Sequence, residues 1–122
     1  SIDRLVEYAV KNNVKSLAIT DYFNLFGVIK FYQKCVDNHI KPIIGCEIPI
    51  KNVSNDNELP NLVLLCQNLQ GYKNLIKLVS QAYLEKNSSE LAGTTIQQIE
   101  KYNNGLILLS GGRNGLLGKN II

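Results

Sequence analysis

Apolar residues recur along this chain in two alternating rhythms, one helical and one extended. Ile2, Leu5, Val6, Ala9 and Val10 fall at i, i+3, i+4, i+7 and i+8. That spacing predicts an amphipathic helix over 2–12, with Ser1 as its N-cap and Asn12-Asn13 as its stop. Leu17-Ala18-Ile19-Thr20 follows, a short run of the length expected for a strand buried on both faces, and it ends at Asp21, where the chain must turn. Asn24 is placed to cap a second helix over 25–38, striped by Val28, Ile29, Tyr32, Cys35 and Val36. Lys41 to Ile50 then reads as a strand centred on 43–48, and Pro49 marks an edge or an end.

The polar stretch Lys51 to Pro60 is a surface loop, and a loop of this kind suits an antiparallel partner for the next strand, 62–66. Asn68 caps a third helix over 69–85, with Tyr72, Leu75, Ile76, Val79, Ala82 and Tyr83 as its apolar stripe. Asn87-Ser88-Ser89 breaks the pattern. Thr95 and Gln98 have the spacing of a capping box at the head of a short helix over 95–103. A last buried strand, 106–110, is followed by the flexible glycine-rich turn Gly111 to Gly115. The chain finishes on Ile121-Ile122 without a stop signal. Four strands alternate with at least four helices, mostly in βα order, so the class is α/β. A closed βα barrel needs more strands and roughly 200 residues or more, so a chain of this length is expected to be part of one, truncated at both ends.

Composition adds little to this picture. With 45% hydrophobic and 19% charged residues the chain is globular in character, and its net charge of +3 is spread instead of gathered into a nucleic-acid stripe. Cys35, Cys46 and Cys66 are odd in number and widely spaced in apolar contexts, which predicts reduced, buried thiols and a cytoplasmic location. No apolar run approaches the ~20 residues of a membrane span. The start Ser1-Ile2-Asp3-Arg4 has neither an initiator Met nor a signal peptide, as expected of a piece of something longer.

Candidate chemistry gathers at predicted strand ends: Asp21, Glu47, Asn61 and the Gly111-Gly112-Arg113 turn. Asp21 is as readily a loop cap as a functional carboxylate, and Tyr22 as readily packs under the next helix. Glu47 needs a partner, because an unpaired carboxylate inside an apolar strand is costly. The glycine-rich turn offers N–H groups and a guanidinium to an anion but matches no nucleotide-binding loop, so flexibility is its simpler reading. The single histidine, His39, sits at a predicted helix end, where a polar residue is favoured by the helix dipole. One imidazole is a poor ligand set for a metallohydrolase.

Several blocks, in order, carry a family resemblance: Leu17 to Asp21 with Asn24-Leu25-Phe26-Gly27, Phe31-Tyr32, Ile40 to Glu47, Leu62 to Leu65, Gly71 to Leu75, and Gly105 to Arg113. Together they resemble the PHP (polymerase and histidinol phosphatase) domain of bacterial DNA polymerase III alpha subunits. The resemblance implies that residues 1–122 are a fragment of a single PHP-type βα barrel, with polymerase palm, fingers and thumb outside the chain. Metal-binding members of that family carry Asp-His where this chain has Asp21-Tyr22, a His where it has Asn61, and Ser-Gly-Cys where it has Ser110-Gly111-Gly112. Only Glu47 keeps its ligand type, with Asp21 as a second vestigial candidate. No metal and no catalytic residue is expected in this segment.

What the resemblance implies for function is a metal-free scaffold within a DNA-directed DNA polymerase, a nucleotidyltransferase of DNA replication expected to use Mg. Its implied partners are the proofreading exonuclease subunit and other holoenzyme subunits, with DNA contacted through the parent protein and no membrane involved. The alternative is a metal-dependent phosphoesterase, trimming 3′ ends or hydrolysing pyrophosphate with donors from outside this chain. A third reading is a free-standing α/β small-ligand binder.

Overall fold

The computed structural model describes residues 1–51, 53, 59–85 and 92–115. Its elements are α1 (Ile2–Lys11), β1 (Ser16–Tyr22), α2 (Val28–Asp37), β2 (Lys41–Pro49), β3 (Asn61–Cys66), α3 (Leu69–Leu84), α4 (Ile96–Lys101) and β4 (Leu106–Leu109), with a 3-10 turn at Gly112–Asn114. The strands form one sheet in the order β1-β2-β3-β4. β1 and β2 run parallel, joined across α2, whereas β2–β3 and β3–β4 are antiparallel, as the polar loop after β2 predicts.

Three helices start where the sequence places their caps. The Ser1 hydroxyl accepts from the Arg4 N–H and Asn68 Oδ1 accepts from the Gly71 N–H. Thr95 and Gln98 close a reciprocal capping box, so two orphan donors at the head of α4 are satisfied at once. α2 departs from expectation. It begins at Val28, behind an N-cap Gly27 that makes no side-chain bond. Asn24 spends its amide on the preceding turn instead, donating to the Tyr22 carbonyl at 2.9 Å and accepting from the Phe26 N–H at 3.2 Å.

Register decides which residues share a face. Ile19 pairs with Ile44, Cys46 with Leu64, and Leu64 with Leu108, so Leu17, Ile19, Ile44, Cys46, Ile48, Leu62 and Leu64 stand on one side of the sheet. All four helices pack there, but the buried faces are narrower than the expected stripes: α2 buries Val28, Phe31 and Cys35 while Ile29, Tyr32 and Val36 stay exposed, and Leu5 and Val10 of α1 and Ile76 and Tyr83 of α3 are exposed as well. Val6, Ala9, Phe31, Cys35 and Ile40 form one core cluster against Leu17, Ile19 and Ile44. Leu75, Leu78, Val79, Ala82 and Ile99 form the other around Cys46, Ile48, Leu62 and Leu64. The other side carries Ala18, Thr20, Tyr22, Glu47, Val63, Leu65, Ile107 and Leu109, and most of these are half-buried or exposed.

That one-sided packing corrects two expectations. β1 is not buried on both faces: it is an outer strand of the sheet, and Ser16, Ala18 and Thr20 lie exposed on its uncovered side. β4 ends at Leu109, and only Leu106 in it is buried, because β4 is the other outer strand. β2 lies inside the sheet, and Pro49 is tolerated because the parallel pairing with β1 stops at Glu47. The expected break at Asn87-Ser88-Ser89, most of the 51–60 loop and the Ile121-Ile122 end lie outside the described residues.

Candidate functional site

Tyr22 sits opposite Glu47 in the parallel ladder, and β3 enters the antiparallel one with Asn61 opposite Pro49. Period-two alternation therefore puts Tyr22, Glu47 and Asn61 on the same, helix-free face at one end of the sheet. The Asn61 Nδ2 group donates to Glu47 Oε1 at 3.0 Å, giving the half-buried carboxylate the partner its strand position requires. The Asn61 Oδ1 atom is buried and has no hydrogen-bond partner among the described residues. Burial, then the Glu47 charge, then Tyr83 push the Tyr22 phenol above its ordinary value, so it stays neutral at physiological pH.

The glycine-rich turn closes this end of the sheet. Gly115 bridges to Asn61, and a Cβ on Gly111 would stand 2.7 Å from the Asn61 carbonyl oxygen, too close for any other residue. Gly111 and Gly112 both have positive φ, 79° and 66°. The Arg113 side chain is exposed and forms no salt bridge among the described residues.

Not every candidate joins the group. Asp21 shares the face of Ile19, beside Gly27, where a Cβ would lie 3.4 Å from Asp21 Oδ2. It thus points away from Glu47. His39 is exposed just beyond α2, with a left-handed backbone at φ 58°.

Two residues that sequence reasoning passed over shape the site. Phe23 is buried and adopts φ 52°, a conformation rare for an aromatic residue. Its N–H donates to the Glu47 carbonyl at 2.7 Å, and its own carbonyl accepts from the Tyr83 hydroxyl at 2.7 Å. The two rings stack with centroids 4.6 Å apart. Tyr83 reads in sequence as one more member of an apolar stripe, and no pattern signals a left-handed Phe.

A cluster that activates water needs several anionic or imidazole donors. Among the described residues no three His, Cys, Asp or Glu side chains are grouped to hold an ion. The donor set here is one carboxylate, already met by an amide N–H, beside a neutral phenol. These residues do not fit a catalytic metal cluster. On the helix side a groove of ≈ 470 Å³ runs between α2 and α3, lined by Val28, Tyr32, Ile44, Cys66, Leu69 and Tyr72 among others. It holds no carboxylate or imidazole, so it offers no acid–base pair. No helix among the described residues is long and apolar enough to cross a membrane.

Comparison with known proteins matches the PHP domain family profile over residues 1–122. The chain is 43% identical over 119 residues to DNA polymerase III subunit alpha of Buchnera aphidicola from Schizaphis graminum, covering 97% of this chain and 10% of that protein. It is 39% identical over 120 residues to DNA polymerase III subunit alpha of Escherichia coli K12, again covering 97% and 10%. The chain thus spans about a tenth of the length of these relatives. A crystal structure from Bifidobacterium adolescentis, described as a candidate metal-dependent phosphoesterase, shares the fold at a TM-score of 0.50 and 14% identity, covering 69% of this chain and 28% of that one.

Proposed function

This chain belongs to the PHP domain family, and from that premise we propose that it is the PHP segment of a replicative DNA polymerase alpha subunit, acting as a metal-free scaffold and docking module. Nucleotidyl transfer, its Mg and contact with DNA belong to the parent protein, outside residues 1–122. The docked partner is a proofreading exonuclease subunit, within a cytoplasmic polymerase assembly. What supports the metal-free reading is the hydrogen bond between Asn61 and Glu47. The N–H gives the carboxylate a partner without an ion, and neither Tyr22 nor Asn61 adds the further negative charge that would draw a cation there.

The residues then act structurally. Asn61 hydrogen-bonds the strand carboxylate, and the 111–115 turn seals the end of β3. Metal analysis of the untagged full-length protein, run beside a 3′-exonuclease assay with and without chelator, is the test. The expected result is no stoichiometric zinc or manganese and no chelator-sensitive cleavage assignable to this domain. Retained metal, or cleavage lost on Glu47→Ala, would instead establish the phosphoesterase reading with donors from outside this chain.

A further inference from the structure

The end of β1 and the loop that follows it present two aromatic rings to solvent: Tyr22 is 57% exposed and Phe26 92% exposed. Between them lies Phe23, buried in the core with its backbone in the left-handed region. For an L-residue with a bulky side chain that conformation is unfavourable, and it persists only where surrounding contacts over-determine it. Three contacts do so here. The Phe23 N–H is held by the Glu47 carbonyl, its carbonyl by the Tyr83 hydroxyl, and its ring by the stacked Tyr83 ring. Two of the three come from one residue in the last turns of α3, sixty positions along the chain.

We propose that Tyr83 is a latch: its hydroxyl and ring hold Phe23 in the left-handed turn, and so fix how the β1–α2 loop presents Tyr22 and Phe26. Without the latch, Phe23 relaxes toward the extended region that its side chain prefers, and the rest of the loop swings with it. The Asn24 bonds to Tyr22 and Phe26 make residues 22–26 a unit, so a change at Phe23 is transmitted to both exposed rings. The loop is thus a two-position element whose balance α3 sets. Tyr83 is a positioning residue, and this role is independent of whether Glu47 binds a metal.

The test is amide hydrogen exchange on the full-length protein carrying Tyr83→Phe, which keeps the stack and removes the hydroxyl, and Tyr83→Leu, which removes both. Tyr83→Phe is expected to speed exchange at the Phe23 and Phe26 amides by about five- to tenfold, the factor one hydrogen bond supplies, and Tyr83→Leu further. Amides of α1 and β3 should keep their protection. Fluorophenylalanine at position 26 should show a second loop state in both variants. Unchanged exchange and a single loop state in Tyr83→Leu would overturn the latch. So would loss of protection throughout the chain, which would make Tyr83 a general packing residue of α3.

Discussion

The substitution Asn61→Asp tests the site at its most exacting contact. The amide N–H now lies 3.0 Å from Glu47 Oε1, and the substituted side chain would put a second carboxylate oxygen in its place. Two unit charges at that distance repel by about 5 kcal/mol at an effective dielectric near 20. Solvent on the uncovered face screens the pair and lets it splay, so about 2–3 kcal/mol is the expected cost at pH 7. Below the point where one carboxyl takes up a proton, the cost disappears. The shared proton raises the folded-state pKa of the pair above its unfolded value. Stability of the variant is therefore full at low pH and is lost as pH rises through that folded pKa. Unfolding followed from pH 4 to pH 8, with the natural protein in parallel, reads the difference directly. A variant as stable as the natural protein at pH 7, with no added pH dependence, would show that the Asn61 amide does not face Glu47.

Two further predictions rest on packing and on buried thiols. A Cβ at Gly71 would overlap the Gly105 carbonyl oxygen, so Gly71→Ala should destabilise by at least about 3 kcal/mol in denaturant unfolding; a neutral result would mean that α3 does not start against the 103–105 turn. Burial pushes the Cys46 and Cys66 thiols from 9.0 up to about 11. Their thiolate fraction at pH 8 is then about a hundredfold below that of a free cysteine, and labelling in the native protein should be correspondingly slow. Because folding favours the protonated thiols, their contribution is complete below about pH 9 and declines as pH rises toward about 11. Rapid labelling of all three cysteines, or stability rising across that interval, would contradict the buried placement.

Periodicity made the elements legible because each helix buries one stripe and each cap is a local event. Ser1, Asn68 and the Thr95–Gln98 box act within three residues of themselves, so their spacing alone is enough. Asn24 shows the limit of that logic. The same side chain suits an N-cap or a turn, and here it bonds within the turn, so the helix begins later, at Val28. The apolar run in β1 was equally ambiguous. Leu17 and Ile19 do face the core, but Ala18 and Thr20 face the uncovered side, and a run too short to show alternation hides which of the two is buried.

The site was legible only as far as each residue's own chemistry reaches. A carboxylate in an apolar strand demands a donor, and that demand pointed to a polar neighbour for Glu47 without naming Asn61. The name follows from register: with Glu47 opposite Val63, the residue two places back on β3 lands on the same face, within reach of the carboxylate. Parity then settles the other half. Asp21 and Tyr22 are adjacent, so only one of them faces Glu47, and the parallel pairing of Tyr22 with Glu47 gives that place to the phenol. Had β1 slipped by one residue against β2, two carboxylates would meet there and repel each other. With the observed register an amide N–H meets the single carboxylate, and a neutral phenol borders it.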